Sequence, residues 1–273
     1  MAATSHAATR ASGSSFYRGM RILPHAEREA MFEIYSFCRA VDDIADDPGP
    51  REPRRAQLQA WRADIDALYA GKPPPQLGGL AEAVRQFNLR REDFLAVIDG
   101  MAMDVEADIR APDRATLDLY CDRVACAVGR LSVRVFGMQP DAGLALAHHL
   151  GRALQLTNIL RDLDEDAAMG RLYLPREALR DAGVISTDPA TVLANPMLGA
   201  GCDEIVALAR DSFREAEAIM ARSPRRTVRA PRIMGDAYRA ILDKLTARGF
   251  APPRTPVRHS KLRLLLIVLR NLV

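Results

Sequence analysis

Asp42 and Asp46 stand four residues apart inside an otherwise apolar helical run, and Asp162 and Asp166 repeat the arrangement 120 residues later. On a helix that spacing stacks both carboxylates on one face. Like charges so placed cost the helix roughly 0.2–0.5 kcal/mol. A chain that does this twice either turns both stripes to solvent as salt-bridged surface, or uses the carboxylates to hold cations. Hard oxygen ligands from two elements suit Mg²⁺, with Mn²⁺ as an alternative, sharing its shell with substrate phosphates. The cation reading also constrains the fold, because helices so far apart in sequence must face each other in one bundle.

The remaining pattern is helical. Ala, Leu and Arg dominate and β-branched residues are sparse, a bias away from sheet. Apolar residues at three- and four-residue spacing predict helices over about Pro24–Ile44, Arg54–Tyr69, Gly79–Phe87, Arg91–Asp104, Thr116–Phe136, Asp141–Ala167, Arg176–Asp181, Gly201–Arg222 and Arg232–Arg248. Pro48, Pro50 and the Pro73–Pro75 run punctuate them. In the Thr116–Phe136 run the small residues Ala125, Ala127 and Gly129 permit close helix contact. Strand alternation is absent over any useful length, and no repeat or linker divides the chain. The expectation is one all-α domain over residues 1–273, with 1–12 a flexible leader and 258–273 a basic apolar tail.

Several function classes drop out. There is no Gly-rich dinucleotide loop after a strand, no phosphate-binding lysine loop and no nucleophile elbow. The four cysteines, Cys38, Cys121, Cys126 and Cys202, form no CxxC pair and read as reduced, buried thiols of a cytoplasmic protein rather than zinc ligands. No stretch reaches the length of a membrane span. Residues 222–273 carry 13 Lys and Arg against 2 Asp, a charge of +11, and residues 1–221 carry −8. That basic end is either a last helix packed on the body or a peripheral contact with anionic headgroups at the inner face of a membrane. It lacks interleaved aromatics, so nucleic acid is not an expected partner.

Stepping back from the first acidic pair by helical turns gives one stripe, Tyr35, Arg39, Asp42 and Asp46. The second gives Gln155, Asn158, Asp162 and Asp166, with Arg161 alongside. Polar side chains on a face that packing should make apolar need partners. Arg39, Arg161 and Arg171 suit phosphate oxygens through their planar forks, and Tyr173 lies in the loop leaving the second cluster. Val124, Val128, Leu131, Val133, Phe136, Leu150 and Leu154 could form a greasy interior beneath the acidic rim, or serve simply as core. A metal–phosphate mouth above an apolar cavity would take a diphosphate head with a hydrocarbon tail, as in an isoprenoid diphosphate.

The acidic clusters, together with the stretches SGSSFYRGMRILP (12–24), LYCDRVACAVGRLSVRVFG (119–137) and LQLTNILRDLDEDAAMGRLYLP (154–175), resemble the head-to-head isoprenyl diphosphate synthases, the squalene and phytoene synthases. The likeness runs from about Ser12 to Lys261 and is strongest to the bacterial branch that serves hopanoid synthesis. It implies an isoprenoid synthase helical bundle with a central active-site cavity. It further implies condensation of two farnesyl diphosphates to presqualene diphosphate, dependent on Mg²⁺ and not on NADPH for this half-reaction. By the same resemblance Asp42, Asp46, Asp162 and Asp166, with Asn158, are the metal ligands. Ser15, Phe16, Tyr35, Arg39, Gln155, Asn158, Arg161, Arg171 and Tyr238 fall where the family contacts substrate. Either Tyr173 or the released diphosphate takes the proton. Phytoene, dehydrosqualene and hydroxysqualene formation remain alternatives, as does a non-catalytic partner subunit. A squalene-forming enzyme downstream is the implied functional partner.

Overall fold

The computed structural model describes residues 20, 22–107, 109–257, 267 and 271. The leader, Ser15, Phe16 and most of the basic tail lie outside them. Among the described residues the helices are α1 (His25–Asp46), α2 (Arg51–Tyr69), α3 (Gly78–Phe87), α4 (Arg91–Glu106), α5 (Arg114–Cys121), α6 (Ala127–Val135), α7 (Pro140–Arg161), α8 (Leu163–Ala168), α9 (Arg176–Asp181), α10 (Pro189–Leu193), α11 (Leu198–Arg222) and α12 (Arg225–Arg248). No strand is present among them; the sole extended pairing is an isolated bridge between Arg110 and Leu172.

Apolar periodicity explains most of these elements. In α1 the buried positions Ala30, Met31, Ile34, Phe37, Val41 and Ala45 keep the spacing of a single packed face. The helix ends before Pro48, and Pro50 caps the start of α2. Three expectations need correction. The Thr116–Phe136 run is not one α-helix: a π turn at Asp122–Cys126 separates α5 from α6, widening the backbone by one residue. The Asp141–Ala167 run breaks at Asp162. The last long helix starts at Arg225 rather than Arg232 and carries Pro231 inside it. That proline has no N–H to offer its preceding turn, and packing overrides the break signal: Val228, Ala230, Pro231 and Ile233 are all buried. The short helix α10 carried no readable periodicity.

The helix α7 is the hub, packed against α11, α6, α12 and the π turn, while α1 packs on α4, α3 and α6. Glycines permit the closest approaches. A Cβ on Gly129 would lie 3.0 Å from the Ala147 Cα, and one on Gly151 would lie 2.9 Å from the backbone N and Cα of Cys126. Since backbone cannot rotate away, Gly151→Ala is expected to destabilise the protein by about 1–3 kcal/mol, read as a lower thermal midpoint. An unchanged midpoint would show that α7 and the π turn are not locked together.

Two apolar clusters result. One gathers α7, α11 and the C-terminal half of α12; the other gathers α1, α2, α3 and α4. A cavity of about 550 Å³ lies where they meet, with Met31 and Ile34 on one wall and Leu146 and Leu150 on the other.

Candidate active site

The last two turns of α1 carry the first acidic motif. Arg39 donates from Nη1 to Asp42 at 2.7 Å and from Nη2 to Asp43 at 2.8 Å. Asp46, the final residue of α1, accepts from Arg171 Nη1 at 2.7 Å, and Arg171 Nη2 donates to the Ala45 carbonyl at 2.5 Å. Arg171 belongs to the loop that leaves the second acidic motif, so one guanidinium, only 7% exposed, ties the two motifs together across 125 residues. Gly170, at φ 76°, turns the chain out of α8 into that loop, a conformation that favours glycine. The Ala111 amide then donates to the Leu172 carbonyl, and the Leu172 amide to the Ile109 carbonyl, pinning the loop beside the end of α4.

The second motif departs from a straight stripe. Gln155 and Asn158 belong to α7, Asp162 sits at the joint with φ −100° and ψ 15°, and Asp166 belongs to α8. Arg161 grips Asp162 with two hydrogen bonds, 2.7 and 2.6 Å. Asp164 is taken by Arg254 at 2.6 Å, which gives it a structural role. Two acceptors are left over. Asn158 Oδ1 is buried with no hydrogen-bond partner, and the Asp166 carboxylate has no ion-pair or hydrogen-bond partner among the described residues.

The fields of these groups overlap. Burial, then the charge of Asp46, pushes Asp42 up to about 6 against the pull of Arg39. Burial, then Asp162, pushes Asp166 up to about 8, with Arg171 opposing and Asp104 and Asp46 adding to the rise. A cation among them would reverse these shifts.

Asp104, on α4, and Tyr120, on α5, are site residues that the sequence reading missed. Asp104 is 4% exposed and accepts hydrogen bonds from Tyr173 at 2.7 Å and Tyr120 at 3.1 Å. The two rings stack with centroids 4.8 Å apart. Burial raises Asp104 to about 6 despite Arg171 and both phenols. A signal existed: Phe94, Val97, Ile98, Met101 and Val105 define the buried face of α4, and Asp104 falls on it.

The cavity brings Tyr35, Arg39, Asp42, Gln155, Asn158, Arg161 and Tyr238 to its polar end, above Val124, Val128, Val133, Phe136, Leu150 and Leu154. Leu131 does not line it; it is fully buried in the second apolar cluster. Ser15 and Phe16 lie outside the described residues. Tyr238 interacts with Arg161, which stays firmly charged: the hydrogen bonds and charge of Asp162 outweigh burial. A separate trio, Asp122, Cys126 and His148, places ligand atoms within 4.8 Å of one another. Arg130 already holds both Asp122 oxygens, and burial pushes the Cys126 thiol up to about 12.

Comparison with known proteins agrees with this geometry. Residues 9–263 match the squalene/phytoene synthase family. The chain is 61% identical over 260 residues to a presqualene diphosphate synthase of Rhodopseudomonas palustris, covering 95% of this chain and 93% of that one. It is 62% identical over 262 residues to the Sinorhizobium fredii protein of the same name, covering 95% and 94%. Its fold superposes on a crystal structure of a dehydrosqualene synthase with a TM-score of 0.86, at 24% identity, over 98% of this chain and 95% of that chain. With the paired acidic motifs above an apolar cavity, these matches establish that the chain belongs to the squalene/phytoene synthase family.

Proposed function

We propose that the protein joins two farnesyl diphosphates head to head into presqualene diphosphate and releases diphosphate. The observation that carries this reading is the Arg171 tie, which holds both acidic motifs together beside an apolar cavity. The likeness to presqualene diphosphate synthases over nearly their whole length supports the product. The donor set fits a divalent cation, since Asn158 Oδ1 is orphaned and Asp166 is unpaired beside other carboxylates. Asp42, Asp46, Asn158, Asp162 and Asp166 would hold Mg²⁺, or Mn²⁺ in its place. When bound, the metal neutralises the diphosphate and makes it a better leaving group.

The chain's own residues do the rest. Arg39 and Arg161, which line the cavity, offer planar forks to phosphate oxygens, while Arg171 keeps the two motifs joined through Asp46. Tyr35, Gln155 and Tyr238 frame the polar end of the cavity. Its apolar walls keep water from the allylic cation. Burial and the charge of Asp104 hold the Tyr173 phenol far above its ordinary value, so it is not itself a standing base. It takes a proton from the substrate carbon only while passing its own to Asp104, 2.7 Å away. The same reading treats the chain as one domain working in the cytoplasm. It leaves NADPH to a later, squalene-forming partner.

The test is to incubate pure protein with farnesyl diphosphate and Mg²⁺, with and without NADPH, and to identify products by mass spectrometry. A C30 diphosphate should accumulate in both. Its absence without NADPH, or a preference for geranylgeranyl diphosphate, would sink this reading.

Metal and pH should be linked. Folded-state values of about 6 for Asp42 and about 8 for Asp166 lie above the ordinary 3.8. The stability these groups contribute is therefore full below the unfolded value and lost as pH rises through 6 and then 8. Holding Mg²⁺ would require these carboxylates to be ionised, and binding would offset that loss. The Mg²⁺-dependent rise in thermal midpoint should widen from pH 5 to pH 8.5, and a rise independent of pH would place the metal elsewhere.

A further inference from the structure

The helix α12 has two working faces. Ala230, Pro231, Met234 and Tyr238 line the hydrocarbon cavity. On the other side Arg225, Arg229, Arg232 and Arg239 line a separate pocket of about 280 Å³, floored by Phe213 and Met220. Leu150 of α7 touches both spaces and is the wall between them. Nothing in the proposed reaction uses the second pocket.

Among the described residues that line it, four guanidiniums meet two carboxylates, Glu217 and Asp236. Glu217 is occupied by Arg239 at 3.0 Å, and Asp236 accepts from the Asn271 side chain at 3.2 Å. Arg229, half-buried, has no ion-pair or hydrogen-bond partner among the described residues. Arg232 donates from Nη2 to the Met220 carbonyl at 2.8 Å, yet its Nε is buried with no acceptor. Burying a guanidinium N–H without an acceptor is unfavourable, and an anion in the pocket would supply one. Several planar forks around one space suit the tetrahedral oxygens of a phosphate better than a single carboxylate. The apolar floor accepts the body that carries it.

We infer that this pocket is a second anion site, separate from the catalytic mouth, that binds a phosphate group borne on a small or amphiphilic body. Phosphate of that kind has two sources, a soluble phosphate compound and an anionic phospholipid headgroup, and the experiment separates them. Inorganic phosphate is titrated calorimetrically into the full-length protein with EDTA present. Sedimentation with phosphatidylglycerol and with phosphatidylcholine vesicles is measured in parallel. The variants are R229Q, R229Q/R232Q and, as a catalytic-mouth control, R39Q. Gln preserves helix propensity, and R229Q removes no hydrogen bond or ion pair among the described residues; thermal midpoints of all variants are measured alongside.

The expected result is phosphate binding weakened about tenfold or more in R229Q and further in the double variant, with R39Q retaining it. Loss confined to phosphatidylglycerol vesicles identifies a headgroup as the source, and loss confined to inorganic phosphate identifies a soluble compound. Either outcome upholds the site. Unchanged binding of both probes in R229Q and the double variant, or no measurable binding of either by the unaltered protein, overturns it.

Discussion

Asp42→Ala and Asp162→Ala should each lower turnover of farnesyl diphosphate by about 10³-fold while leaving the protein folded. On the proposed reading each substitution would remove a carboxylate that holds the cation, and the loss of about 4 kcal/mol of transition-state stabilisation corresponds to that factor. Stability should hold for a reason visible in the fold. The charged form of Asp42 is disfavoured by burial and by Asp46, so its removal relieves a repulsion. Its partner Arg39 is exposed and keeps Asp43. Asp162 pairs with its immediate neighbour Arg161, and its loss also lightens the field on Asp166. Steady-state kcat/KM and thermal unfolding, measured together, test the pair of claims. Near-normal turnover in either variant would show that the metal is held elsewhere.

The second large effect concerns Asp104 and Tyr173. Asp104→Leu would leave two buried phenols, each 5–6% exposed, without their shared acceptor, costing about 2–4 kcal/mol. In a protein of this size that lowers the midpoint by roughly 5–12 °C. Tyr173→Phe is gentler on the fold, because Asp104 keeps Tyr120 at 3.1 Å. If Tyr173 relays the proton, the same change should still reduce turnover by about 10²-fold or more. A Tyr173→Phe protein with lowered stability and unchanged turnover would exclude the relay and leave the released diphosphate as the base.

What could be read from the chain divides along one physical line. The aspartate pairs and their arginine and tyrosine neighbours were legible because their meaning lies in helical spacing, a local property. So were the greasy residues and the helical class. Asp104 and Tyr120 were not singled out, because each is one polar residue in an apolar run and its partner is supplied by tertiary contact; Tyr173 and Asp104 are 69 residues apart in sequence. The break at Asp162 and the π turn were hidden for the opposite reason, since helix-forming residues continue through both. Pro231 misled in the other direction: a local stop signal there is overruled by burial on α12.

The pinned segment after α8 carries a consequence for how this family can vary. Around Leu172, which pairs with Arg110 in an isolated β-bridge, successive side chains go to different partners. Arg171 and Tyr173 reach Asp46 and Asp104, while Leu172 and Leu174, at 1% and 0% exposure, face the core. Gaining or losing a single residue between Gly170 and Pro175 would exchange the two sets, taking Arg171 and Tyr173 off Asp46 and Asp104 and turning a guanidinium into hydrocarbon. Selection on this loop therefore acts on the parity of its length, and two-residue indels should survive where one-residue indels do not.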